Sequence, residues 1–554
     1  NHTTESNTLT ITNTSTTEWV GKTYGGKTAG RTGGAKNNRV VVENTGAGRG
    51  ITNVYGGAVT NEKNAAGTVT GNSVTLKNGR TSTVYGGYTR GKGAVGGSAD
   101  GEGNAVTLED GTAGDVYGGA IDNADSTAAV TGNKVTIQNG TYNRLYGGHT
   151  KGKGAAQNNE VTISGGTSSD DVHGGYTYDG GAATGNKVTL TGGVVDGVVY
   201  GGYTNNGGNA TGNTVTLTGG KVTDKVYAGY ADGGGATTGN TVNLGNGTGF
   251  SAGADFLGTS IYGGNRSDVT GNTLNVKGKN MTVKTAGKFE NYTFYLGNDV
   301  KDGDTLLKFA QAGGFDGDAT DWSKINLDAD TLHAWSTGKQ RTNTITLLNA
   351  AGMTFTGTAN QRLLNVHDGM EYGLRTDHVG STTASKIFLE ANRFKDGVVD
   401  FTAATTGEAL GGISHFGNTT ESNRLTVKSL AAGAHSAYGG KTMGTIGGSI
   451  KNTVTVTGTG TGTLANVYGG YIDKSTNNGA VTGNTVTLTG GKVTGKIYGG
   501  YTAGNGKTTG NTVNLGADPM TLRQGDASTL ATGTNFTNAE LYGGNKSTVG
   551  NTLN

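Results

Sequence analysis

The 554-residue chain contains no cysteine and one proline, Pro519. Without cysteine it has no disulfides, no thiolate metal sites and no cysteine nucleophile. A single proline excludes a collagen helix and a proline-rich linker. No apolar run approaches the roughly 18 residues of a membrane-spanning helix. The charge is nearly balanced, with 43 basic and 41 acidic residues, so we expect no nucleic-acid partner and no membrane insertion by this segment.

Glycine is the abundant residue, with 107 copies against an ordinary share of about 7%. Because glycine reaches positive φ angles without steric cost, this content predicts many tight turns. The first residues, NHTTESNTLT, lack the charged start and apolar stretch of a signal peptide. We therefore expect the chain to be a mature part of a longer protein.

The first repeated motif is an asparagine followed by alternating apolar residues, as in Asn213-Thr-Val-Thr-Leu. In a β-strand Asn213, Val215 and Leu217 share one face, which the apolar pair marks as the interior. The asparagines then stack at one corner, where buried amides need hydrogen-bond partners from their neighbours. We predict a structural asparagine ladder formed by Asn72, Asn104, Asn133, Asn159, Asn186, Asn213, Asn240, Asn272, Asn484 and Asn511.

The second repeated motif is Tyr-Gly-Gly, preceded at nearly every copy by an apolar residue such as Val199 before Tyr200. If Val199 faces inward, strand alternation places Tyr200 outward. Stacked repeats would then form an exposed aromatic column, which serves either as ring-on-ring packing or as a binding stripe. The predicted column comprises Tyr55, Tyr85, Tyr117, Tyr146, His173, Tyr200, Tyr227, Tyr262, Tyr468 and Tyr498.

The spacing and the alternation together predict the fold. Consecutive asparagines of the first motif lie 26 to 34 residues apart from Asn38 to Asn272, and a period of 2 within each repeat indicates strands rather than helices. Each repeat offers two short strands, glycine-rich corners and a variable third side, such as NNGGNATG at 205–212. We predict an all-β fold, a right-handed parallel β-helix (β-solenoid) with about 27–32 residues per turn, interrupted by a β-rich module.

The repeat stops near residue 278, where the composition changes. Nine of the twelve phenylalanines and two of the three tryptophans fall between 279 and 416. The motifs then return: NHTTESNTLTI at 1–11 has its counterpart in GNTTESNRLTV at 417–427, and TGNTVTLTGGKVT at 211–223 recurs unchanged at 482–494. We therefore predict a first solenoid block at 1–278, an aromatic-richer β module at 279–416, and a second solenoid block at 417–554 that starts a second super-unit.

Several of these stretches resemble a known family. The repeated VYGGYT and GNTVTLTGG, together with FYLGNDVKDGDTLLKF at 294–309 and ITLLNAAG at 345–352, resemble the passenger regions of large autotransporters of Gram-negative bacteria. The resemblance covers nearly the whole chain. It implies a β-helical, surface-displayed protein, anchored to the outer membrane in its full-length form and most often an adhesin. The serine-protease subset of these passengers does not carry over, because no GDSGS-like motif occurs.

Histidines and acidic residues are dispersed along the chain. The eight histidines form no HExxH motif and no pair at helical spacing, and the acids do not gather as in catalytic β-helices. We therefore expect no enzyme activity and no cofactor. The densest acidic group, Asp316, Asp318 and Asp321, is a calcium candidate whose alternative is a solvated turn.

A long repeat protein suits the display of binding surfaces at a distance from a cell. We expect an extracellular bacterial cell-surface adhesin whose partner is a host or bacterial surface protein or glycan. The variable third side and the module at 279–416 are the expected contact regions, because loops on a rigid scaffold carry function. The alternative is a structural fibre or surface-coat component that self-associates end-to-end or side-by-side.

Overall fold

The computed structural model describes residues 2–12, 19–43, 50–60, 63–97, 99, 101–316, 320–336, 343–359, 361–402, 407–516, 539–546 and 549–554. Over these residues the chain forms an all-β parallel β-solenoid of about 16 turns, here called rungs, about 29 residues apart and with 2% helix. Within the described ranges no helix has both the length and the apolar character needed to cross a membrane. The chain divides into unit 1 (Asn1–Trp335, Thr346–Ala359 and Gly380–Lys386) and unit 2 (Ser336–Ile345, Asn360–Val379 and Ile387–Asn554).

The strands of unit 1 form three parallel walls, of which the first two belong to one 24-stranded sheet. The first wall carries the strands that follow the ladder asparagines: Thr8–Ile11, Arg39–Glu43, Ser73–Asn78, Ala105–Leu108, Lys134–Ile137, Glu160–Ile163, Lys187–Val195, Thr214–Val222, Thr241–Leu244, Thr273–Lys277, Asn291–Tyr295 and Ile325–Leu327. The second wall carries the Tyr-Gly-Gly strands and their continuations: Val20–Thr28, Ile51–Val59, Arg80–Thr89, Thr112–Ile121, Thr141–Tyr142, Leu145–Thr150, Thr167–Ser168, Val172–Thr177, Val199–Thr204, Lys225–Ala231, Ser260–Tyr262 and Thr285–Gly287. The narrow third wall consists of Thr4–Glu5, Ala35–Lys36, Val69–Thr70, Val95–Gly96, Val130–Thr131, Ala156–Gln157, Ala183–Thr184 and Ala210–Thr211.

Strand alternation places one apolar residue above the next along the interior. Val188 lies in parallel register with Val215, and Val215 with Val242, and all three are buried. The residue before each tyrosine, such as Val199 or Val226, is buried in the same way. The core of each rung is therefore a narrow column of valine, leucine and isoleucine, which suits the packing of branched side chains on a pleated wall.

The corner between the third and first walls depends on glycine. Gly212, directly before Asn213, has a φ of 66°. A β-carbon is disfavoured in this left-handed conformation, whereas glycine adopts it without penalty. The Thr-Gly-Asn sequence thus turns the chain and delivers the asparagine into the interior.

Parallel stacking in unit 1 continues past residue 278. Thr273–Lys277 pairs with Asn291–Tyr295, which pairs with Ile325–Leu327. Phe294 lies in register with Val276 and is buried, so the change in composition brings larger side chains into the same interior. The remaining described elements of this region are strands Met281–Val283, Thr305–Phe309, Thr320–Asp321 and Asn343–Ala359, the 3₁₀ helix Trp322–Lys324 and the α-helix Ala329–Ser336.

The three walls recur in unit 2, where parallel stacking begins with Val398–Thr402 and Glu408–Ser414, before the predicted start of the second block at residue 417. Its first wall is Val398–Thr402, Arg424–Ser429, Thr453–Val456, Thr485–Leu488, Thr512–Leu515 and Thr552–Leu553. Its second wall is Glu408–Ser414, Ala434–Thr442, Thr463–Ile472, Val493–Thr502 and Glu540–Gly544. Its third wall is Thr420–Glu421, Ser449–Ile450, Val481–Thr482 and Thr508–Thr509, and the antiparallel strands that precede the block are Gln361–His367, Met370–Thr376 and Ser381–Arg393.

Two buried carboxylates fasten the antiparallel strands of unit 2 to the segment that opens the second block. Glu371 accepts a hydrogen bond from the Ser414 hydroxyl at 2.9 Å. Glu390 accepts one from Arg375 Nε at 2.7 Å and lies 2.6 Å from His415 Nδ1. Burial raises the pKa of Glu390, but the contacts with His415 and Arg375 more than offset it and hold the pKa at about 2. Both carboxylates are therefore used in structural contacts.

Candidate functional site

The asparagine ladder runs along the interior corner between the third and first walls. The backbone N–H and the Nδ2 of Asn186 both donate to Oδ1 of Asn213, one rung later, at 3.0 Å. Asn213 Nδ2 donates in turn to the Ala183 carbonyl at 2.9 Å. The structure brings the predicted residues together in two such series, and all are fully buried: Asn72, Asn104, Asn133, Asn159, Asn186, Asn213, Asn240 and Asn272 in unit 1, and Asn484 and Asn511 in unit 2.

Additional asparagines extend both series: Asn7 and Asn38 in unit 1, and Asn423, Asn452 and Asn551 in unit 2. The ladder of unit 1 ends at Asn272, whose Nδ2 donates to the carbonyls of Thr237 at 2.8 Å and Lys288 at 3.2 Å. Thr273 pairs with Asn291, so Glu290 occupies the ladder position of the following rung. The ladder therefore stops where an acidic side chain replaces the amide.

The second glycine of each Tyr-Gly-Gly motif faces the ladder. A β-carbon on Gly202 would lie 2.5 to 2.6 Å from the side-chain atoms of Asn213, closer than real contacts allow. The first glycine, Gly201, faces the carbonyl of Ala228 in the next rung just as closely. The two repeated motifs are thus parts of one device, because the glycines make room for the amides. The occurrence of both motifs in nearly every repeat was the signal in the sequence for this contact, which was not predicted.

The predicted aromatic column is present, but it is not exposed. In unit 1 the ring centroids of successive members from Tyr55 to Tyr262 lie 4.8 to 5.9 Å apart, with interplanar angles of 2 to 16°. At most 8% of the residue surface is exposed at Tyr55, Tyr146, His173, Tyr262 and, in unit 2, Tyr498. The half-buried members are Tyr85, Tyr117, Tyr200, Tyr227 and Tyr468. The prediction of an exposed stripe is therefore wrong for these residues.

A second aromatic column is the physical reason for this burial. Tyr203 stacks between Tyr176 and Tyr230, at 5.0 and 5.1 Å, and meets Tyr200 edge-on at 5.1 Å and 81°. Such stacked and edge-on pairs contribute about 0.5–1.5 kcal/mol each beyond burial. This column was not predicted from the sequence, because strict alternation places the residue three positions after each tyrosine on the opposite face of the strand. The Gly-Gly pair breaks that alternation and brings the residue to the same face as the tyrosine. The second column consists of Tyr88, His149, Tyr176, Tyr203 and Tyr230 in unit 1 and Tyr471 and Tyr501 in unit 2.

Two histidines take tyrosine positions in these columns. His173 stacks between Tyr146 and Tyr200, with both centroid distances 4.9 Å, and His149 stacks on Tyr176 at 5.1 Å. Burial, with a contribution from the nearby positive charge of Lys151, lowers the pKa of His149 to about 4. Burial and the neighbouring His149 lower the pKa of His173 to about 3. Both imidazoles are therefore neutral at pH 7 and behave as aromatic packing residues.

The calcium candidates do not come together as a described site. Asp318 lies outside the described residues. The Asp321 carboxylate accepts the Ser323 N–H at 2.9 Å and caps the 3₁₀ helix, while Asp316 faces the Tyr262 hydroxyl and, after burial, helps to raise its pKa. In the part of the chain that the structure describes, no three acidic or histidine side chains are grouped as metal ligands.

A cleft of about 490 Å³ lies in unit 1 beside the end of the ladder. It forms where the first wall continues into the module, beyond the last described strand of the third wall at Ala210–Thr211. Its volume falls within the roughly 300–1,000 Å³ of small-ligand sites. The lining residues are Ser267, Val269, Lys288, Phe289, Glu290, Tyr292, Phe315, Thr320, Asp321, Lys324 and Thr356.

Charged side chains of both signs and aromatic side chains line the cleft. Glu290 accepts hydrogen bonds from the Gly271 N–H at 2.8 Å and from Lys324 Nζ at 3.2 Å, and both contacts lower the pKa of its carboxyl group. Tyr292 packs edge-on against Phe315 at 5.3 Å. A lining that includes carboxylates, ammonium groups, hydroxyls and aromatic rings can bind a polar ligand that also has an apolar face. Asp321 is the one cleft residue that the sequence analysis singled out, and it did so for a different chemistry.

Comparison of the chain with protein-family models, with curated proteins and with solved structures gives no match.

Proposed function

We propose that this chain is the β-solenoid segment of a bacterial cell-surface adhesin. The observation that carries the proposal is the contrast between the repeating columns and the cleft. The ladder amides and the aromatic rings find their partners within the solenoid, so the repeat serves as a scaffold. The cleft beside Glu290 and Lys324 departs from the repeat and offers polar groups to a ligand.

The location and partners of the adhesin follow from the resemblance of its repeats to autotransporter passengers. We propose an extracellular location on a bacterial surface, with anchoring to the outer membrane in the full-length protein. The partner is a protein or glycan on a host or neighbouring bacterial cell. A stack of rungs suits this role, because its stability is approximately a sum over rungs and their interfaces and its length grows by duplication.

The test is direct binding of the purified chain to intact host and bacterial cells and to immobilised surface glycans. We expect saturable binding, and we expect the double variant Glu290→Gln with Lys324→Met to lower the affinity by about tenfold or more. Lys187→Met, which removes an exposed lysine from the first wall, is the matched control and leaves binding unchanged. Absence of binding to every surface contradicts the adhesin, whereas binding that the double variant leaves unchanged removes only the cleft from the proposal.

A structural fibre is the second candidate, and the duplication of the block favours it. TGNTVTLTGGKVT occurs identically at 211–223 and 482–494, and repeated units with open edges can assemble into filaments. Electron microscopy of the purified chain across a range of concentrations separates the candidates. Regular filaments that lengthen with concentration support the fibre, and single particles at every concentration support the adhesin.

A further inference from the structure

A lysine and an asparagine each recur in both solenoid blocks at one repeated position of the second wall. The position lies three residues after each ring of the predicted aromatic column and of its extensions Tyr24, Tyr438 and Tyr542, which stack on Tyr55, Tyr468 and Tyr498. In the first block it is occupied in order by Lys27, Ala58, Tyr88, Ala120, His149, Tyr176, Tyr203, Tyr230 and Asn265. In the second block it is occupied by Lys441, Tyr471, Tyr501 and Asn545. Each series therefore contains one lysine and one asparagine, and in the rung before Lys441 the position is held by Ile413.

The lysine at this position makes a cation–π contact with the tyrosine three residues earlier in both blocks. Lys27 Nζ lies 5.0 Å from the centroid of the Tyr24 ring, and Lys441 Nζ lies 4.5 Å from that of Tyr438. In cation–π contacts of this kind the ammonium group is attracted to the electron-rich face of the ring. Lysine thus takes the place of the ring that the second column supplies in later rungs.

The closing asparagines are also equivalent in their contacts. Asn265 Oδ1 accepts the backbone N–H of Ala231 at 3.0 Å, and its Nδ2 donates to the Ala231 carbonyl at 3.0 Å. Asn545 does the same to Thr502, at 3.0 and 2.8 Å. In each case one side-chain amide satisfies both backbone groups of one residue in the preceding rung.

The next residue adds a basic side chain to the same edge. Arg266 donates through its guanidinium to the Ala231 carbonyl, and Lys546 Nζ donates to the carbonyls of Ala503, at 3.2 Å, and Gly504. The strands of these rungs are correspondingly short. Ser260–Tyr262 follows Lys225–Ala231, and Glu540–Gly544 follows Val493–Thr502.

We infer that in the sequence Tyr-Gly-Gly-Asn-Arg/Lys the asparagine amide caps the end of the preceding, longer strand of the second wall, where the shorter strand of its own rung leaves that end uncovered. A full-width strand would supply one peptide N–H and one peptide C=O to the edge residue, and the side-chain amide supplies the same donor and acceptor. Asparagine occupies the position that a ring of the second aromatic column holds in the preceding rung, and the chain leaves the second wall after it. In the first block the segment that follows contributes Ser267 and Val269 to the cleft. The inference does not rest on the proposed function.

Hydrogen exchange of the intact chain, followed by mass spectrometry on peptides that contain Thr502, tests the cap. We expect Asn545→Ala to accelerate exchange of the Thr502 amide by about tenfold, the equivalent of one lost hydrogen bond. Asn545→Asp keeps the acceptor for that amide and loses the donor, so it accelerates exchange less. Asn478→Ala, in an exposed loop, leaves the exchange at Thr502 unchanged.

The first block provides an independent copy of the experiment. Asn265→Ala should accelerate exchange at Ala231 and leave the Thr502 peptide unaffected, which also shows that the chain remains folded. Wild-type exchange rates at Ala231 in Asn265→Ala, or at Thr502 in Asn545→Ala, overturn the inference.

Discussion

The asparagine ladder and the aromatic columns pass through the same rungs, yet they tolerate very different substitutions. Every described ladder position from Asn7 to Asn272 is asparagine. The position of the second aromatic column is occupied by tyrosine, histidine, alanine, lysine or asparagine over nine rungs of the first block. The ladder position is buried in each rung from Asn38 to Asn272 and must both donate and accept, a requirement that an uncharged side chain of this size meets only as an amide.

The columns are specified more loosely because they depend on contact area and ring packing. A ring can be replaced by any side chain that covers its neighbours, and each rung adds its contribution separately. Sequence identity between rungs therefore reports geometric constraint rather than ligand binding. The following variants test that interpretation, from the largest expected effect to the smallest.

Gly202→Ala should be the most damaging single change. Its β-carbon would lie 2.5 Å from Asn213 Nδ2, so the ladder must shift or lose hydrogen bonds. We expect a loss of about 3 kcal/mol in the free energy of unfolding, measured by urea titration. Gly258→Ala, where no atom lies within 4 Å of the new carbon, is the control. Equal effects of the two changes would show that the close approach at Gly202 does not matter.

Asn213→Leu should cost about 2–3 kcal/mol by urea titration. Leucine removes the acceptor for both donors of Asn186 and leaves the Ala183 carbonyl without its partner. The exposed Asn478 provides the control Asn478→Leu, which should change stability little. A wild-type unfolding midpoint for Asn213→Leu would contradict the role of the ladder.

The two column histidines should make stability sensitive to acid. Their folded pKa values, about 4 for His149 and about 3 for His173, lie below the unfolded value of about 6.5. Their contribution to the free energy of unfolding is therefore fully present above pH 6.5. It falls as the pH decreases toward the folded pKa values, because the unfolded chain binds the protons first. We expect a combined loss of about 2.5 kcal/mol in the free energy of unfolding between pH 7 and about pH 5.5.

The matched variant for this experiment is His149→Tyr with His173→Tyr, which gives both columns their usual residue. The melting temperature of the double variant should fall less than that of the wild type over the same pH range. Parallel curves for the two proteins would show that these imidazoles are not the acid-sensitive groups.

Tyr200→Ala should cost about 2 kcal/mol, since the change removes the half-buried ring's stacked contacts with its two column neighbours and its edge-on contacts with Tyr203 and Tyr230 but removes no ladder hydrogen bond. Tyr200→His should cost less than about 1 kcal/mol, because His173 already occupies the same position one rung earlier. Urea titration of both variants checks the order. A loss for Tyr200→Ala as large as that for Asn213→Leu would remove the distinction between ladder and column.

The sequence was sufficient to predict the solenoid, because period-2 alternation within a repeat near 27 residues leaves few other folds. It was also sufficient to identify the ladder residues, since Asn213, Val215 and Leu217 share a strand face. It was insufficient for the environment of Tyr200, because the residue that covers it, Tyr203, reaches the same face only through the break in alternation at Gly201 and Gly202. The cleft was beyond prediction, since its walls come from segments 267–356 that no local pattern relates.

The ladder also has a direction. Each amide donates toward the rung that follows it, so a stack folded only as far as Asn186 would leave its backbone N–H and one Nδ2 hydrogen waiting for Asn213. A stack growing the other way, with Asn213 at its edge, would leave the Oδ1 acceptor and the Nδ2 hydrogen that bonds to the Ala183 carbonyl without partners, and so one unmet N–H fewer. Unmet buried N–H groups are rarer in proteins than under-satisfied oxygens. We therefore expect rungs to be added preferentially from later ones toward earlier ones, so that the solenoid folds in one favoured order along the chain.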